Sequence, residues 1–201
     1  MVDIRFFTGE AIRPHLPALA RLRIAFFREW PYLYVGSAEF EASHLAAFAG
    51  CPRAGLAVAF DGPEPVGCSS CLPLADEDDQ ITAPFRARGW DLERFFYFGE
   101  SVLLPAYRGQ GIGVAFFAAR EAHARETSSC DFATFCAVQR PADHPLRPPG
   151  AVPLDAFWRK RGFLPYSDLV CTMRWKQVDS QEKVTNTLNF WLKSLRGAPL
   201  P

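Results

Sequence analysis

The sequence predicts a mixed α/β (α+β) fold with one strand–helix–strand crossover at its centre. Three observations carry that expectation. Short apolar runs bounded by Gly, Pro and Asp alternate with longer segments of helical periodicity. One helical segment, Gly111 to Glu126, lies between two strongly apolar strands, Phe95 to Leu104 and Cys130 to Val138. Aromatic residues make up 14% of the chain, 18 of them Phe, so the core is built from large flat side chains.

Val2 to Phe7 alternates weakly and reads as a first strand. Ile12 to Phe27 places Ile12, Leu16, Leu19 and Leu22 at helical spacing, with Pro14 and Pro17 confined to the first turns. An aromatic loop follows, Glu29-Trp30-Pro31-Tyr32-Leu33-Tyr34, and then a second helix from about Glu39 to Ala49. Gly55 to Asp61 and Val66 to Leu74 form a hairpin over the turn Asp61-Gly62-Pro63-Glu64-Pro65. Asp76 to Arg94 is polar and partly helical. Gln139 to Pro153 carries five prolines, and an irregular connection of that length hints at function. Leu154 to Arg161 is a short helix ending at Gly162. Leu169 to Gln177 and Leu188 to Leu195 read as a terminal hairpin within the same single domain, residues 1–201.

With 22 basic and 22 acidic residues, the chain has no excess positive charge to draw it to nucleic acid or an anionic membrane surface. No run approaches the ~20 apolar residues of a membrane span, and no leader is visible, so a cytoplasmic protein is expected. The six cysteines read as buried small hydrophobes in a reducing compartment. Cys68-Ser-Ser-Cys71 has no second C-x-x-C or His pair to complete four ligands, and strand alternation points its thiols to opposite faces. No metal is expected. Cys130 and Cys136 are expected to share a strand face, too far apart to form one site.

The most informative stretch is Glu100-Ser-Val-Leu-Leu-Pro-Ala-Tyr-Arg108-Gly109-Gln110-Gly111-Ile112-Gly113. Its glycines follow a strand and open a helix, removing side chains where a ligand approaches backbone. A helix start presents N–H groups and the positive end of the dipole, and Arg108 adds a charge suited to phosphate. The spacing fits neither Gly-Lys-Ser/Thr nor G-x-G-x-x-G. It resembles the pyrophosphate loop of the GNAT N-acetyltransferase superfamily, Arg/Gln-x-x-Gly-x-Gly/Ala, through Arg108, Gly111 and Gly113. Asp155-Ala-Phe-Trp158-Arg-Lys-Arg-Gly162-Phe163 resembles that family's second cofactor-contacting helix, with Trp158 where tyrosine is common.

The resemblance implies a mostly antiparallel sheet with flanking helices, acetyl-CoA as co-substrate and direct transfer to an amine. It places the cofactor on Val102, Leu103, Leu104, the loop Arg108, Gly109, Gln110, Gly111, Ile112 and Gly113, and Trp158. Glu100 is the candidate base, because burial in an apolar strand raises a carboxyl pKa; the competing reading is an ion pair with an arginine. Tyr97 is a second candidate, through an ordered water. Trp158 cannot protonate a departing thiolate, which leaves water, Tyr166 or no acid at all. Glu29, Tyr32, Tyr34, Asp143 and His144 are the candidate acceptor contacts. The expected acceptor is a small-molecule primary amine. A protein or peptide amine, a non-catalytic acyl-CoA-binding module and a homodimer stay open.

Overall fold

A computed structural model of the chain describes residues 2–201. Seven strands form one sheet in the order β1-β2-β3-β4-β5-β7-β6. They are β1 (Val2–Thr8), β2 (Gly55–Asp61), β3 (Glu64–Pro73), β4 (Phe95–Leu103), β5 (Phe132–Val138), β6 (Leu164–Lys176) and β7 (Lys183–Ser194). Every neighbouring pair is antiparallel except β4 and β5. The parallel pair is joined by helix α4 (Ile112–Thr127), which is the crossover expected from sequence. Helices α1 (Leu16–Phe27), α2 (Ala38–Gly50), α3 (Asp79–Ala87) and the short α5 (Asp155–Arg159) complete the fold.

The first helix differs from expectation at its start. Residues Gly9–His15 are 3-10 rather than α, and regular helix begins at Leu16. Pro14 and Pro17 lack the N–H groups an α-helical ladder would need there. Helix α2 starts cleanly because the Ser37 side chain accepts the Phe40 N–H at 3.2 Å. The terminal hairpin is longer than its apolar residues suggested, since polar stretches pair too: Thr172–Lys176 runs against Lys183–Thr187. Ladder hydrogen bonds, not hydrophobicity, set that length.

Helices α1, α2 and α3 cover one face of the sheet, burying Leu19, Leu22, Leu45, Ile81 and Phe85 against Tyr97, Val102 and Phe190. Helices α4 and α5 cover the other face, where Phe117 and Phe163 pack with Phe96, Phe98, Phe135 and Trp191. Cys68 and Cys71 fall on opposite faces, as alternation requires. Cys130 and Cys136 do not share a face: Cys130 packs under α4 and Cys136 lies on the α1 side. Cys130 precedes the first residue of β5, so strand alternation does not govern it.

Candidate active site

Strands β4 and β5 pair only from Phe95–Tyr97 to Phe132–Thr134 and then part, although both continue for several residues. The parting opens a wedge at the carboxyl ends of the two parallel strands, where ligands gather in such sheets. The Thr134 hydroxyl at the fork is buried and has no hydrogen-bond partner. On the β4 side, the Leu104 N–H is donated to Val66 O of β3 at 3.0 Å. Backbone direction alternates along a strand, so Val102 and Leu104 spend their groups on β3 while Leu103 turns toward the wedge.

Beyond β4 the loop Arg108–Gly113 folds as its glycines permit. Gly109 and Gly111 adopt φ of 76° and 84°, a region closed to most residues, and a side chain at either would project into open space. Gly111 is the N-cap of α4, so the first N–H groups of that helix face outward from Ile112 and Gly113. Gln110 braces the loop through Nε2 to Ala106 O at 3.0 Å. The Arg108 guanidinium lies beside it, donating through Nε to Leu103 O at 3.2 Å and pairing with Glu29 at 3.3 Å. Backbone donors, a half-exposed cation and a bare glycine surface fit a pyrophosphate, and the wedge with its orphan hydroxyl fits the thinner arm of acetyl-CoA. Bound there, acetyl-CoA supplies an activated thioester.

The α1 side of β4 holds an ion network that neither its strand nor its helices would form alone. The β3–β4 register slips between Ser69 and Cys71, so Gly99 and Glu100 together oppose Ser70. This bulge turns Glu100 onto the same face as Tyr97 and Val102. There Arg23 Nη1 donates to Glu100 at 2.5 Å, and Arg23 Nε donates to Glu41 at 2.6 Å. Glu41 is fully buried and also accepts the Tyr34 hydroxyl at 3.1 Å. Burial pushes the Glu100 carboxyl up, but Arg23 and then His44 overcome it and hold the group below its ordinary value. The expected up-shift is therefore reversed, and the arginine ion pair is the arrangement found.

Tyr97 is buried beside this network, its hydroxyl 3.2 Å from Cys136 Sγ, and burial keeps it protonated well above the ordinary range. The two loops expected at the acceptor end do meet. Arg140 donates to Pro31 O at 2.7 Å and Tyr32 O at 3.0 Å, and Trp30 packs edge-on to His144 at 5.2 Å. Trp175 Nε1 also donates to Tyr32 O, and Tyr34 bridges Gln177, which ties the α1–α2 segment to β6. Tyr32 lies against Phe27 at 4.6 Å and burial raises its pKa. Glu29 goes elsewhere: it follows the end of α1 and pairs with Arg108 on the cofactor side. Asp143 is exposed on the proline-rich loop.

Trp158 packs edge-on against Phe135 at 5.1 Å and Trp191 at 5.0 Å, so its indole fills core beside the wedge. The Tyr166 hydroxyl is donated to Pro201 O at 2.7 Å, and its ring faces Trp90. Sequence reading missed Arg23 and Glu41. Arg23 did carry a signal, a charge within the apolar phase of α1 beside Leu19 and Leu22.

A helix start with free N–H groups beside Arg108, a wedge between parallel strands and a buried ion network on the α1 side together suit an acyl-CoA-dependent transferase. The profile of the acetyltransferase (GNAT) family matches residues 18–163, and the chain belongs to that family. It is thus an acetyl-CoA-dependent N-acyltransferase acting on amines. A comparison with curated proteins returns no match. Among solved structures, the chain is similar to a ribosomal-protein-alanine N-acetyltransferase from Brucella melitensis: 17% identity, 96% of this chain and 99% of that one, TM-score 0.62. It is also similar to yncA of Salmonella typhimurium, solved with its cofactor acetyl-CoA, at 14% identity, 100% and 97% coverage and TM-score 0.60. An aminoglycoside 6'-N-acetyltransferase complexed with coenzyme A is 13% identical over 98% and 99% of the chains, with TM-score 0.58. Identities this low show the fold alone. Among the described residues, no helix is long and apolar enough to cross a membrane, and no group of three metal-binding side chains occurs.

Proposed function

We propose that this enzyme acetylates the primary amine of a small molecule, by direct attack on acetyl-CoA held in the β4–β5 wedge. One observation carries the choice of acceptor. The α1–α2 segment is stitched to β6 and to the proline-rich loop through Arg140, Trp175, Tyr34 and the Trp30–His144 contact. An extended peptide needs an open groove, and these ties close that side of the cleft. Tyr32, Phe27, Trp175 and Tyr97 offer aromatic surface, and Glu41 with Glu100 outnumbers Arg23, so an ammonium on an apolar body suits the interior. In this reading Leu103 and the loop Arg108–Gly113 hold the cofactor, Glu100 is a fixed anion facing the amine, and a reducing, cytoplasmic compartment suits six free thiols.

The test is release of free thiol from acetyl-CoA across a panel of small amines and lysine-bearing peptides. Turnover on small amines, with peptides at least ~10-fold poorer in kcat/KM, is expected. Peptides that match or exceed the small amines overturn the acceptor choice. Arg108→Ala is expected to weaken coenzyme A binding in calorimetry by about 10-fold, the value of one charged contact to phosphate. An unchanged affinity removes Arg108 from the pyrophosphate site.

A further inference from the structure

Arg140 follows the last rung of β5, where Gln139 donates its N–H to Thr187 O of β7 at 2.9 Å. It therefore stands at the carboxyl end of the parallel pair, where the wedge opens. Its guanidinium is spent on oxygens of neutral groups. Nε donates to Pro31 O at 2.7 Å and Nη2 to Tyr32 O at 3.0 Å. The Gln177 side-chain amide stands 3.0 Å from Nη1 and Nη2, where its oxygen is the partner two donors require. The α1–α2 segment lies along the end of β6 like an added strand. Val35 donates its N–H to Lys176 O at 2.8 Å, Val178 donates to Leu33 O at 2.8 Å, and Tyr34 pairs with Gln177. Arg140 joins both chains to the end of β5.

The fork also fixes an aromatic wall. Trp175 Nε1 donates to the same Tyr32 O at 3.0 Å, and the Tyr32 ring packs on Phe27 at 4.6 Å. Phe27 lies under the Arg23 guanidinium at 5.1 Å, and Arg23 pairs with Glu100. We propose that Arg140 is a specificity-determining positioning residue, whose fork clamps the α1–α2 segment over the acceptor end of the wedge and shuts out extended peptides. The inference rests on the small-amine reading above and names the side chain that enforces it. Selectivity of this kind comes from excluding the wrong acceptor. Pro31 O and Tyr32 O accept from Arg140 and Trp175, so they are not free for the N–H groups of a peptide, and the clamped segment fills the groove a peptide needs.

The test compares wild type, Arg140→Ala and Arg140→Lys by thiol release from acetyl-CoA, with the best small amine and with a lysine-bearing peptide. Wild type is expected to favour the small amine. In Arg140→Ala the ratio of the two kcat/KM values is expected to narrow by about 10-fold, the KM of the small amine rising and that of the peptide falling. Coenzyme A affinity in calorimetry is expected to stay within about twofold of wild type, because Arg140 belongs to the acceptor end. Arg140→Lys is expected to behave like Arg140→Ala, since an ammonium is a point donor that cannot span two carbonyls and an amide. A second readout needs no turnover. The N–H groups of Leu33, Tyr34 and Val35 bond Glu29 O, Phe27 O and Lys176 O. Their hydrogen exchange is expected to quicken by about 10-fold in Arg140→Ala. A ratio unchanged in Arg140→Ala overturns the proposal, whether both rates fall together or neither moves. So does a wild-type ratio in Arg140→Lys, or exchange in Arg140→Ala that matches wild type. A wild type that prefers the peptide overturns the small-amine reading itself, and this role with it.

Discussion

Cys68 and Cys71 on β3, and Tyr97 and Glu100 on β4, are pairs with the same spacing on neighbouring strands. The cysteines point to opposite faces, into separate halves of the core. The tyrosine and the glutamate point to one face, toward α1. The difference lies in the bulge at Gly99 and Glu100, where two residues of β4 oppose Ser70 alone. A regular strand disperses side chains three apart; a bulge gathers them. The same pleat separates the pair on β3 and gathers the pair on β4.

The largest expected effect comes from removing the cation that the bulge delivers Glu100 to. Arg23→Leu leaves Glu41 and Glu100 buried without their partner and is expected to cost about 3–5 kcal/mol in urea unfolding. Its pH profile changes too. In wild type Glu100 lies below its ordinary 4.5, so the pair stabilises above that pH and the stability drains as pH falls. Without Arg23 the largest influence opposing burial is gone, and that drain is expected to weaken.

The bulge itself can be broken at Gly99. A Cβ there would collide with the Ser70 hydroxyl oxygen, while the Ser70 Cβ stands 3.7 Å away at ordinary contact distance. Gly99→Ala is expected to cost about 1–3 kcal/mol and to lower kcat by displacing Glu100. Adding Ser70→Ala recovers at least half of the stability loss. The smallest effect sharpens the β3 side of the comparison. Cys68→Ala and Cys71→Ala are each expected to cost about 1 kcal/mol, and the double variant to add within about 0.5 kcal/mol, because the two belong to separate core clusters. Marked non-additivity would place them in one cluster.

The conformation of the candidate cofactor loop was legible because its physics is local. Glycines at positive φ, a helix start and one arginine all lie within Arg108 to Gly113, and each acts through its own backbone or charge. The acceptor half was legible only in outline. Trp30 and His144 do meet, yet Tyr34 serves Glu41, Glu29 serves Arg108 and Tyr166 is spent on Pro201. A loop side chain chooses its partner from whatever the chain brings near, and spacing does not record that.

By itself, the sequence determined the order of strands and helices, the central parallel crossover, a glycine-lined helix start and a protein with no net charge to steer it. Those features rest on periodicity, turn chemistry and backbone freedom, which neighbours along the chain decide. Only the tertiary structure decided that Glu100 is paired with Arg23 and that Glu41 is buried with them. Residues 23, 41 and 100 come from three separate segments, α1, α2 and β4. The direction in which the Glu100 carboxyl shifts depends on burial and on the charge of Arg23, and both come into being when the sheet and its helices close over it.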